Sequence, residues 1–465
     1  MKQDSIFLRN KVKRKSYSSL NLHEEARVAV MGGGPAGSLF AYFLIDLAQR
    51  DGLGLQVDIY EPRDFSLTGP RGCNMCAGIL SESLVQMLAM DGINLPHTVV
   101  QRGMDSYILH TQVGNARLET PNLEKRIGAV FRGSGPLGMT GSRLSSFDGF
   151  LLEQAIQKGA NLIRARVEEV NRVGGLPQVR ASSGLSNRYD LLAVATGVNT
   201  NALRMFPPLE TGFQQPKLIQ AFIREYFVGR EQIERHMGRH TIHFFLLDLP
   251  GLDFAAVVPK GDFVTVTLLG KDLSQEKVEA FLNTKEMKTC MPPGWQPDEF
   301  ACHCAPRMNI SGAIHPFADR MVFLGDSGVS RLYKDGIGAA YRAAKHAATT
   351  AIFHGVAEED FRRHYWPACR STEYDNRVGK LIFEFVRYLK PRRFMMSSML
   401  RMVAREQSKP ADQRRMSNIL WDMFTGSAPY RDILIRIFNP AFWSRFLWHV
   451  GSSPRVWRPG WKQAL

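Results

Sequence analysis

The sequence predicts an α/β fold that is joined to a second, β-rich domain and followed by a helical C-terminal extension. Three observations lead to this prediction: a strand–glycine turn–helix–strand unit over residues 26–61, alternating β-branched patterns over residues 208–312, and a helical, basic and aromatic region after residue 356. The chain has 465 residues, of which 44% are hydrophobic and 22% charged. This ordinary globular composition excludes fibrous and largely disordered proteins.

The first unit has the pattern of a Rossmann-like dinucleotide-binding domain. A short apolar strand at residues 27–31 leads into Gly32-Gly-Gly-Pro-Ala-Gly37, and the apolar helical run Ser38–Leu47 follows. A second strand runs from Leu55 to Glu61. Because this acid ends the second strand, it is placed to bind the hydroxyls of an adenosine ribose.

Each glycine of this turn has a separate predicted role. Gly32 makes the tight turn after the strand, Gly34 lets the backbone approach a pyrophosphate, and Gly37 lets the helix pack on the strand. The helix N-terminus then presents free N–H groups to the phosphates. A second stretch with the same spacing, Gly133–Gly138, follows no clean strand and precedes no apolar helix, so we interpret it as a surface loop.

The remaining patterns divide the chain into interleaved segments. We predict helices over residues 143–159 and 337–348, and strands over 161–167, 190–197 and 321–326. The predicted organisation is a basic flexible tail at 1–25, a nucleotide-binding domain at 26–97, 141–207 and 313–355, a β-sheet substrate domain at 98–140 and 208–312, and a helical C-terminal region at 356–465.

The positive charge is concentrated at the two ends of the chain. The net charge is +15, of which residues 1–25 carry +3 and residues 387–465 carry +11, from 15 basic and four acidic residues. A neutral body with basic ends indicates a polyanionic partner, either nucleic acid or an anionic membrane surface. Since no nucleic-acid-binding motif is present, we expect no nucleic acid partner.

The C-terminal region combines this charge with aromatic residues on amphipathic segments. Residues 431–438 and 441–448 place apolar side chains at helical spacing on either side of Asn439-Pro440. Such helices suit the headgroup layer of a membrane, and the alternative is that they pack on the body as ordinary core. No run of ~18–20 uncharged apolar residues is present, so we expect a cytoplasmic protein that binds the membrane peripherally. Five of the seven tryptophans lie here: Trp421, Trp443, Trp448, Trp457 and Trp461.

Several motifs occur together in an order that resembles a known family. Gly32–Gly37, Glu61, Ala195-Thr-Gly197 and Gly325-Asp326 resemble the FAD-binding fold of the para-hydroxybenzoate hydroxylase type. Within that group the chain is most similar to the geranylgeranyl reductase family, over roughly residues 26–355. Three further stretches carry the resemblance: Arg71–Ile79 resembles a cysteine–glycine loop beside the flavin, Arg143-x-x-x-Phe-Asp148 a helix start, and Phe254–Asp262 a stretch of the substrate domain.

This resemblance implies FAD as the cofactor and NAD(P)H or another reductant as the electron donor. It implies hydride transfer from reduced flavin to a double bond of a polyprenyl or similarly lipophilic substrate. Asp326 would lie at the ribitol or pyrophosphate side, and the helix opened by Gly336-Ile-Gly338 would face the isoalloxazine carbonyl. The predicted cofactor contacts are Gly32, Gly34, Pro35, Ala36, Gly37, Glu61, Arg143, Thr196, Gly197, Gly325, Asp326, Gly336, Ile337 and Gly338.

Three departures from the family leave the substrate open. Ala256 stands where the family has Trp, the loop at 327–335 is shorter and lacks its proline, and the cysteine loop has two cysteines instead of one. The catalytic proton donor also stays open, with Cys76, Tyr333 and Asp335 as candidates by location. The alternative functions are an FAD-dependent monooxygenase on the same fold and a membrane-associated electron-transfer flavoprotein.

Four of the six cysteines form two close pairs, Cys73-x-x-Cys76 and Cys302-x-Cys304. These pairs are consistent with a four-thiolate zinc or iron–sulfur site, with redox-active thiols near the flavin, or with separate inert thiols. We expect no metal, and we expect the two pairs to approach one another. His303, between two cysteines, is interpreted as a strand residue.

Overall fold

The glycine-turn unit at the start of the chain forms the centre of a six-stranded sheet. The computed structural model describes residues 18–75, 77–122, 125–139, 146–209 and 211–451. In spatial order the strands are Phe317–Ala318 (β19), Met321–Phe323 (β20), Leu191–Val194 (β12), Ala26–Met31 (β1), Leu55–Tyr60 (β2) and Asn161–Ile163 (β8). Neighbouring strands are parallel except for β19, which is antiparallel to β20.

Three helices pack with this sheet around one apolar core. They are Pro35–Arg50 (α1), Phe147–Gln157 (α3) and Gly336–Phe353 (α7). Small residues on α7, such as Ala344, Ala347 and Ala348, are fully buried and let the helix approach α1 closely. The predicted helices over 143–159 and 337–348 are confirmed within the described residues.

A second, larger sheet provides the β-rich part of the molecule. Its strands alternate between two apolar faces, so that Phe245 packs with one core while Phe244 and Leu246 pack with another. In spatial order the strands are Cys302–Cys304 (β17), Lys217–Phe227 (β13), Phe263–Gly270 (β16), Leu252–Lys260 (β15), Thr241–Leu246 (β14), Ser106–Thr111 (β5) and Gly114–Glu119 (β6), with Arg307–Ser311 (β18) also paired to β13.

Two small sheets and several short helices complete the body. One sheet contains Ile79–Ser81 (β3), Ile127–Val130 (β7) and Val100–Met104 (β4), and the other contains Ser186–Arg188 (β11), Leu176–Ala181 (β10) and Val167–Val173 (β9). The predicted strand over 161–167 is therefore wrong in detail, because the chain bends at 164–166 and β9 joins a separate sheet. The short helices are Glu82–Met90 (α2), Arg230–His236 (α4), Gln275–Leu282 (α5) and Lys285–Cys290 (α6).

The C-terminal region is helical, as predicted, and one side of it packs on the large sheet. Trp421 is fully buried: its indole N–H donates to the carbonyl of Lys125 at 3.0 Å, and its ring meets Tyr107 edge-on at 4.9 Å. Within the described residues, no helix has both the length and the apolar composition that crossing a membrane requires. The helices are Glu358–Asp360 (α8), Trp366–Leu389 (α9), Arg393–Glu406 (α10), Arg415–Thr425 (α11), Tyr430–Ile437 (α12) and Pro440–Gly451 (α13).

The predicted flexible tail at 1–25 falls mostly on residues 1–17, which lie outside the described residues. Residues 18–25 pack on the body instead. Leu22 is buried in the first core, and the carbonyl of Leu20 accepts a hydrogen bond from the N–H of Val356 at 2.9 Å. Trp457 and Trp461 also lie outside the described residues, and the domain boundaries stay predictions.

Candidate cofactor and substrate site

Gly32 and Gly37, in the turn after β1, are enclosed so tightly by backbone atoms that neither has room for a side chain. Gly32 has φ = +110°, and a Cβ there would lie 2.5 Å from the carbonyl oxygen of Ala195. A Cβ on Gly37 would lie 1.9 Å from the carbonyl oxygen of Gly32. Gly34 forms the N-cap of α1, and its missing side chain leaves the first N–H groups of the helix uncapped. An anion placed here would therefore meet the positive end of a helix.

Glu61 fixes the turn from the end of β2. Its carboxylate accepts hydrogen bonds from the N–H groups of Gly33 and Arg63, each at 2.9 Å. The side chain is buried, and this burial raises its pKa although the two backbone hydrogen bonds act in the opposite direction. The carboxylate therefore lies beside the glycine turn, where the sequence predicts an acid.

A cleft of about 1420 Å³ begins at this turn and continues into the large sheet. Pockets for small molecules are roughly 300–1,000 Å³, so the cleft has room for a dinucleotide and a second ligand. Gly37 and Gly338 lie behind its surface in the first turns of α1 and α7, and Arg143 and Cys76 lie outside the described residues. The other predicted residues all line it: Gly32, Gly34, Pro35, Ala36, Glu61, Thr196, Gly197, Gly325, Asp326, Tyr333, Asp335, Gly336 and Ile337.

The Gly325-Asp326 turn and the start of α7 reach the same part of the cleft. A Cβ on Gly325 would lie 2.9 Å from the Cβ of Ala36, so this turn packs directly against the start of α1. The backbone carbonyl of Asp326 accepts a hydrogen bond from Nδ2 of Asn309 at 2.9 Å. The start of α1, the start of α7 and the end of β20 therefore meet at one place.

The other end of the cleft is apolar, and the large sheet and the C-terminal helices build it together. The ring of Phe244 stacks on Phe254 at 5.0 Å and on Phe424 at 3.9 Å. Ala256, where the resembling family has Trp, also lines this end. Alanine occupies less of this end of the cleft than tryptophan would.

The candidate proton donors have different surroundings. Asp335 forms ion pairs with Arg342 at 2.8 Å and Arg331 at 3.3 Å, which anchor the loop before α7. Tyr333 packs edge-on against Phe383 at 4.8 Å, and burial raises the pKa of its phenol, so the hydroxyl keeps its proton at neutral pH. Among the two described candidates, Tyr333 therefore has a proton to donate.

The two cysteine pairs can be followed only in part, since Cys76 lies outside the described residues. Cys302 is opposite Glu225 in the sheet register, and the same carboxylate raises the pKa of Cys73 as well as that of Cys302, so both thiols lie near it. Burial is the largest cause of the raised pKa of both, which keeps them as neutral thiols. His303 lies in β17, as predicted.

One group of metal-ligating side chains converges within the described residues, and it contains none of these cysteines. It consists of His110, His243 and Cys290, which are buried in the core on the opposite face of the large sheet. His243 bonds the carbonyl of Met237 through Nε2 and the Nε2 of His110 through Nδ1, at 2.9 and 2.8 Å. These hydrogen bonds explain why the two imidazoles can be buried in the core.

Sequence reasoning missed Lys334 and Phe424, which line the cleft, and Phe383, whose ring packs against Phe254 and Tyr333. Lys334 lies between the two candidates Tyr333 and Asp335, but no local motif marks a lone lysine as buried. The two phenylalanines come from the C-terminal region, where the sequence shows amphipathic helices without showing what they cover. Only the tertiary packing reveals their place.

Comparison with known proteins gives matches to solved structures. No protein-family model and no curated protein sequence matches the chain. A geranylgeranyl bacteriochlorophyll reductase-like protein from Thermoplasma acidophilum matches with a TM-score of 0.56 and 16% identity, over 90% of this chain and 96% of that chain. A flavoprotein/dehydrogenase from Cytophaga hutchinsonii matches with a TM-score of 0.62 and 13% identity, over 92% and 100%.

A third match carries the cofactor. A halogenase in complex with FAD has a TM-score of 0.56 and 12% identity, over 93% of each chain. Other halogenases and a monooxygenase are also similar in structure. At these identities the comparison concerns architecture, and it shows that the chain has the fold of FAD-dependent flavoproteins, including the geranylgeranyl reductase-like kind.

Proposed function

We propose that this chain is an FAD-dependent oxidoreductase that reduces a carbon–carbon double bond of a polyprenyl or similarly lipophilic substrate. The observation that carries the proposal is the continuous cleft, which has a glycine turn and two helix N-termini at one end and an aromatic chamber at the other. A polar cofactor and an apolar ligand would then lie end to end in one space.

The residues present fit FAD. The Gly32–Gly37 turn would hold the pyrophosphate, Glu61 the adenosine ribose, and Asp326 the ribitol side, while the start of α7 would face the isoalloxazine. A side chain at Gly34 would stand in the cleft beside Asn74, so only glycine leaves this approach open. When bound, FAD would supply the hydride chemistry, with NAD(P)H or another reductant as the electron donor.

The chain's own part in the reaction is to exclude water and to hold a proton. Phe244, Phe254 and Phe424 form an apolar wall, which favours an apolar ligand over water. Burial keeps the proton on the hydroxyl of Tyr333, which lies beside Arg387, and this hydroxyl is the group that we propose to protonate the substrate carbon. The roles of Cys76 and Asp335 as alternatives are tested by comparing Tyr333→Phe with Cys76→Ser and Asp335→Asn.

Anaerobic reoxidation of the reduced flavin tests this function against its alternatives. Polyprenyl lipids, quinones and oxygen are offered in turn to the reduced protein. Reoxidation by a polyprenyl lipid with loss of its double bond is the expected result. Reoxidation by oxygen with incorporation into product would indicate a monooxygenase, an activity known for one structural match. Reoxidation by quinones alone would indicate an electron carrier, although a cleft of about 1420 Å³ argues for a bound substrate.

We also propose that the C-terminal helices bind an anionic membrane surface. On α9 the side chains of Leu381, Phe385 and Tyr388 are exposed and recur at i, i+4 and i+7, which puts them on one face of the helix. Arg392 stacks over the ring of Tyr388, and Phe394 is exposed at the start of α10. Aromatic and basic residues in this combination suit the headgroup layer.

A further inference from the structure

His110, His243 and Cys290 converge in the core on the face of the large sheet that lies away from the cleft. One ring nitrogen from each histidine and the sulfur of the cysteine lie within 4.8 Å of one another. All three residues are at most 1% exposed. Two imidazoles and a thiol, brought together in an apolar interior, are the donor atoms of a buried transition-metal centre.

Three separate elements of the fold bring these side chains together. β5 and β14 are parallel neighbours, and His110 on β5 is opposite Phe245 on β14. His243 lies two residues before Phe245 on the same strand, so both histidines are on one face of the sheet. Cys290 is the last residue of α6, which packs in the core on this face. A metal ion here would therefore join two strands and a helix.

A hydrogen bond to the backbone determines which nitrogen of His243 can bind a metal. Its Nε2 lies 2.9 Å from the carbonyl oxygen of Met237, which can only accept, so Nε2 carries the proton and Nδ1 keeps a lone pair. That Nδ1 faces Nε2 of His110 at 2.8 Å. Histidine ligands of metals almost always donate their other N–H to a carbonyl, a carboxylate or water, as His243 does here.

The two facing nitrogens lie near the separation that a shared ion requires. Nitrogens bound at 2.0–2.1 Å to one ion in a trigonal arrangement are about 3.5 Å apart, so a small rotation of the rings would replace the hydrogen bond by two bonds to the metal. Burial lowers the pKa of His110 well below its ordinary value and that of His243 to about 4. Both imidazoles are therefore neutral, which is the form that binds metals.

The donor set favours copper over zinc. A trigonal set of two histidines and one cysteine is typical of copper sites, whereas structural zinc almost always takes four ligands. Burial raises the pKa of the Cys290 thiol well above its ordinary value, so the sulfur loses its proton only when a cation replaces it. A cuprous ion and a thiolate form a neutral pair. A zinc ion would leave a net positive charge in the core, near Arg117, whose charge already acts on His243.

The surroundings of the three ligands are apolar and rich in sulfur. The ring of Phe245 stacks on His110 at 4.5 Å, and Phe281 meets Phe245 edge-on at 5.2 Å. These rings exclude water, which stabilises a low-coordinate ion. The same core contains three methionines, whose thioethers are soft ligands that copper sites use as weak axial donors: Met237, Met287 and Met291.

We propose that His110, His243 and Cys290 bind one cuprous ion in the core of the large sheet, with release of the thiol proton. This site is separate from the cleft and does not rest on the proposed function. By joining β5, β14 and α6, the ion would stabilise the sheet whose other face forms the apolar end of the cleft.

The copper content of the full-length protein tests the site. The protein is produced with copper and zinc salts together in the medium, purified anaerobically, and subjected to elemental analysis. The wild type should hold about one copper ion per chain, and Cys290→Ser should hold at least roughly tenfold less. Cys369→Ser is the matched control, because Cys369 is also buried but lies in the first core beside Tyr365, and this variant should keep its copper.

Oxidation by ferricyanide gives a second measurement. The cuprous ion loses one electron to ferricyanide, and the resulting Cu(II)–thiolate bond should absorb at longer wavelengths than oxidised flavin does. Cys369→Ser should show this absorption band, and Cys290→Ser should lack it.

The wild type decides the proposal even if Cys290→Ser fails to fold, as judged by circular dichroism. A wild type that contains zinc in place of copper, or no metal, would overturn it. Copper retained in Cys290→Ser would also overturn it. The two imidazoles would then be core residues that only bond one another and the backbone.

Discussion

The nucleotide end and the apolar end of the cleft are built by different means. The nucleotide end depends on backbone contacts within short segments, such as the approach of Gly37 to the carbonyl of Gly32. The apolar end depends on side chains far apart in sequence, such as Phe244 and Phe424, whose rings stack at 3.9 Å. A site made by backbone geometry therefore leaves a local motif, while a site made by side-chain packing is distributed along the chain.

The largest expected effect comes from breaking the backbone geometry. Gly37→Val would place a branched side chain where a Cβ alone already lies 1.9 Å from a backbone oxygen. We expect this variant to fail to fold into a flavin-containing protein. Gly34→Val should instead fold and lack flavin, because a Cβ there meets only Nδ2 of Asn74, at 3.3 Å. Flavin absorbance and circular dichroism separate the two outcomes.

The control for these variants is Gly103→Ala, where a Cβ meets nothing within 4 Å. It should keep both its fold and its flavin. Full flavin occupancy in Gly34→Val would contradict the assignment of the turn to a pyrophosphate.

The next largest effect is expected at the apolar end of the cleft, which is built from side chains far apart in sequence. Trp421→Ala removes a fully buried ring together with a hydrogen bond to the carbonyl of Lys125, and we expect the free energy of unfolding to fall by about 3–5 kcal/mol. Trp421→Phe should lose much less, since it keeps a ring against Tyr107. Urea denaturation measures both. A small effect of Trp421→Ala would mean that the C-terminal helices are an appendage and not a wall of the cleft.

The contrast between a site made by backbone geometry and a site made by side-chain packing also explains what the sequence could predict. The glycine turn and Glu61 are predicted from their spacing, while the roles of the Gly325-Asp326 turn and of the start of α7 are predicted from the resemblance to a known family. The structure brings all four to one cleft. Lys334 and Phe383 were not found, because their importance depends on which helix covers which sheet face. The sequence predicts that the C-terminal helices are amphipathic. An amphipathic pattern does not distinguish a face that packs on Tyr107 from a face that contacts lipid.

A smaller effect is expected at Glu61, in the nucleotide end of the cleft, where the affinity for FAD should depend on pH. Burial raises the pKa of this carboxyl, so it takes up a proton at a higher pH than an ordinary glutamate. The protonated form accepts ribose hydrogen bonds less well, and FAD affinity should fall as the pH falls through this pKa. Glu61→Gln should bind FAD roughly tenfold more weakly at neutral pH, without this pH dependence.

Protonation of Glu61 does not itself favour unfolding. Because the folded protein holds the Glu61 proton more tightly than the unfolded chain does, this group alone makes the fold more stable as the pH falls. Fluorescence titration of FAD against apoprotein over a pH series, with circular dichroism as the fold control, measures the effect. An equal pH dependence in Glu61→Gln would assign it to another group.

The smallest expected effect is on membrane binding by the outer face of α9, where Leu381 and Phe385 are exposed to solvent. Removing residues from 387 onward would not test membrane binding, because α11 and its Trp421 belong to the core. The double variant Leu381→Ser with Phe385→Ser leaves that core intact. It should reduce co-sedimentation with anionic vesicles several-fold, while Phe300→Ser, which removes another exposed ring, should not.

Salt should weaken binding only in part, since apolar insertion persists when charges are screened. If the wild type ignores anionic vesicles, the exposed apolar face of α9 does not bind lipid, and the case for a lipophilic substrate then rests on the aromatic end of the cleft alone.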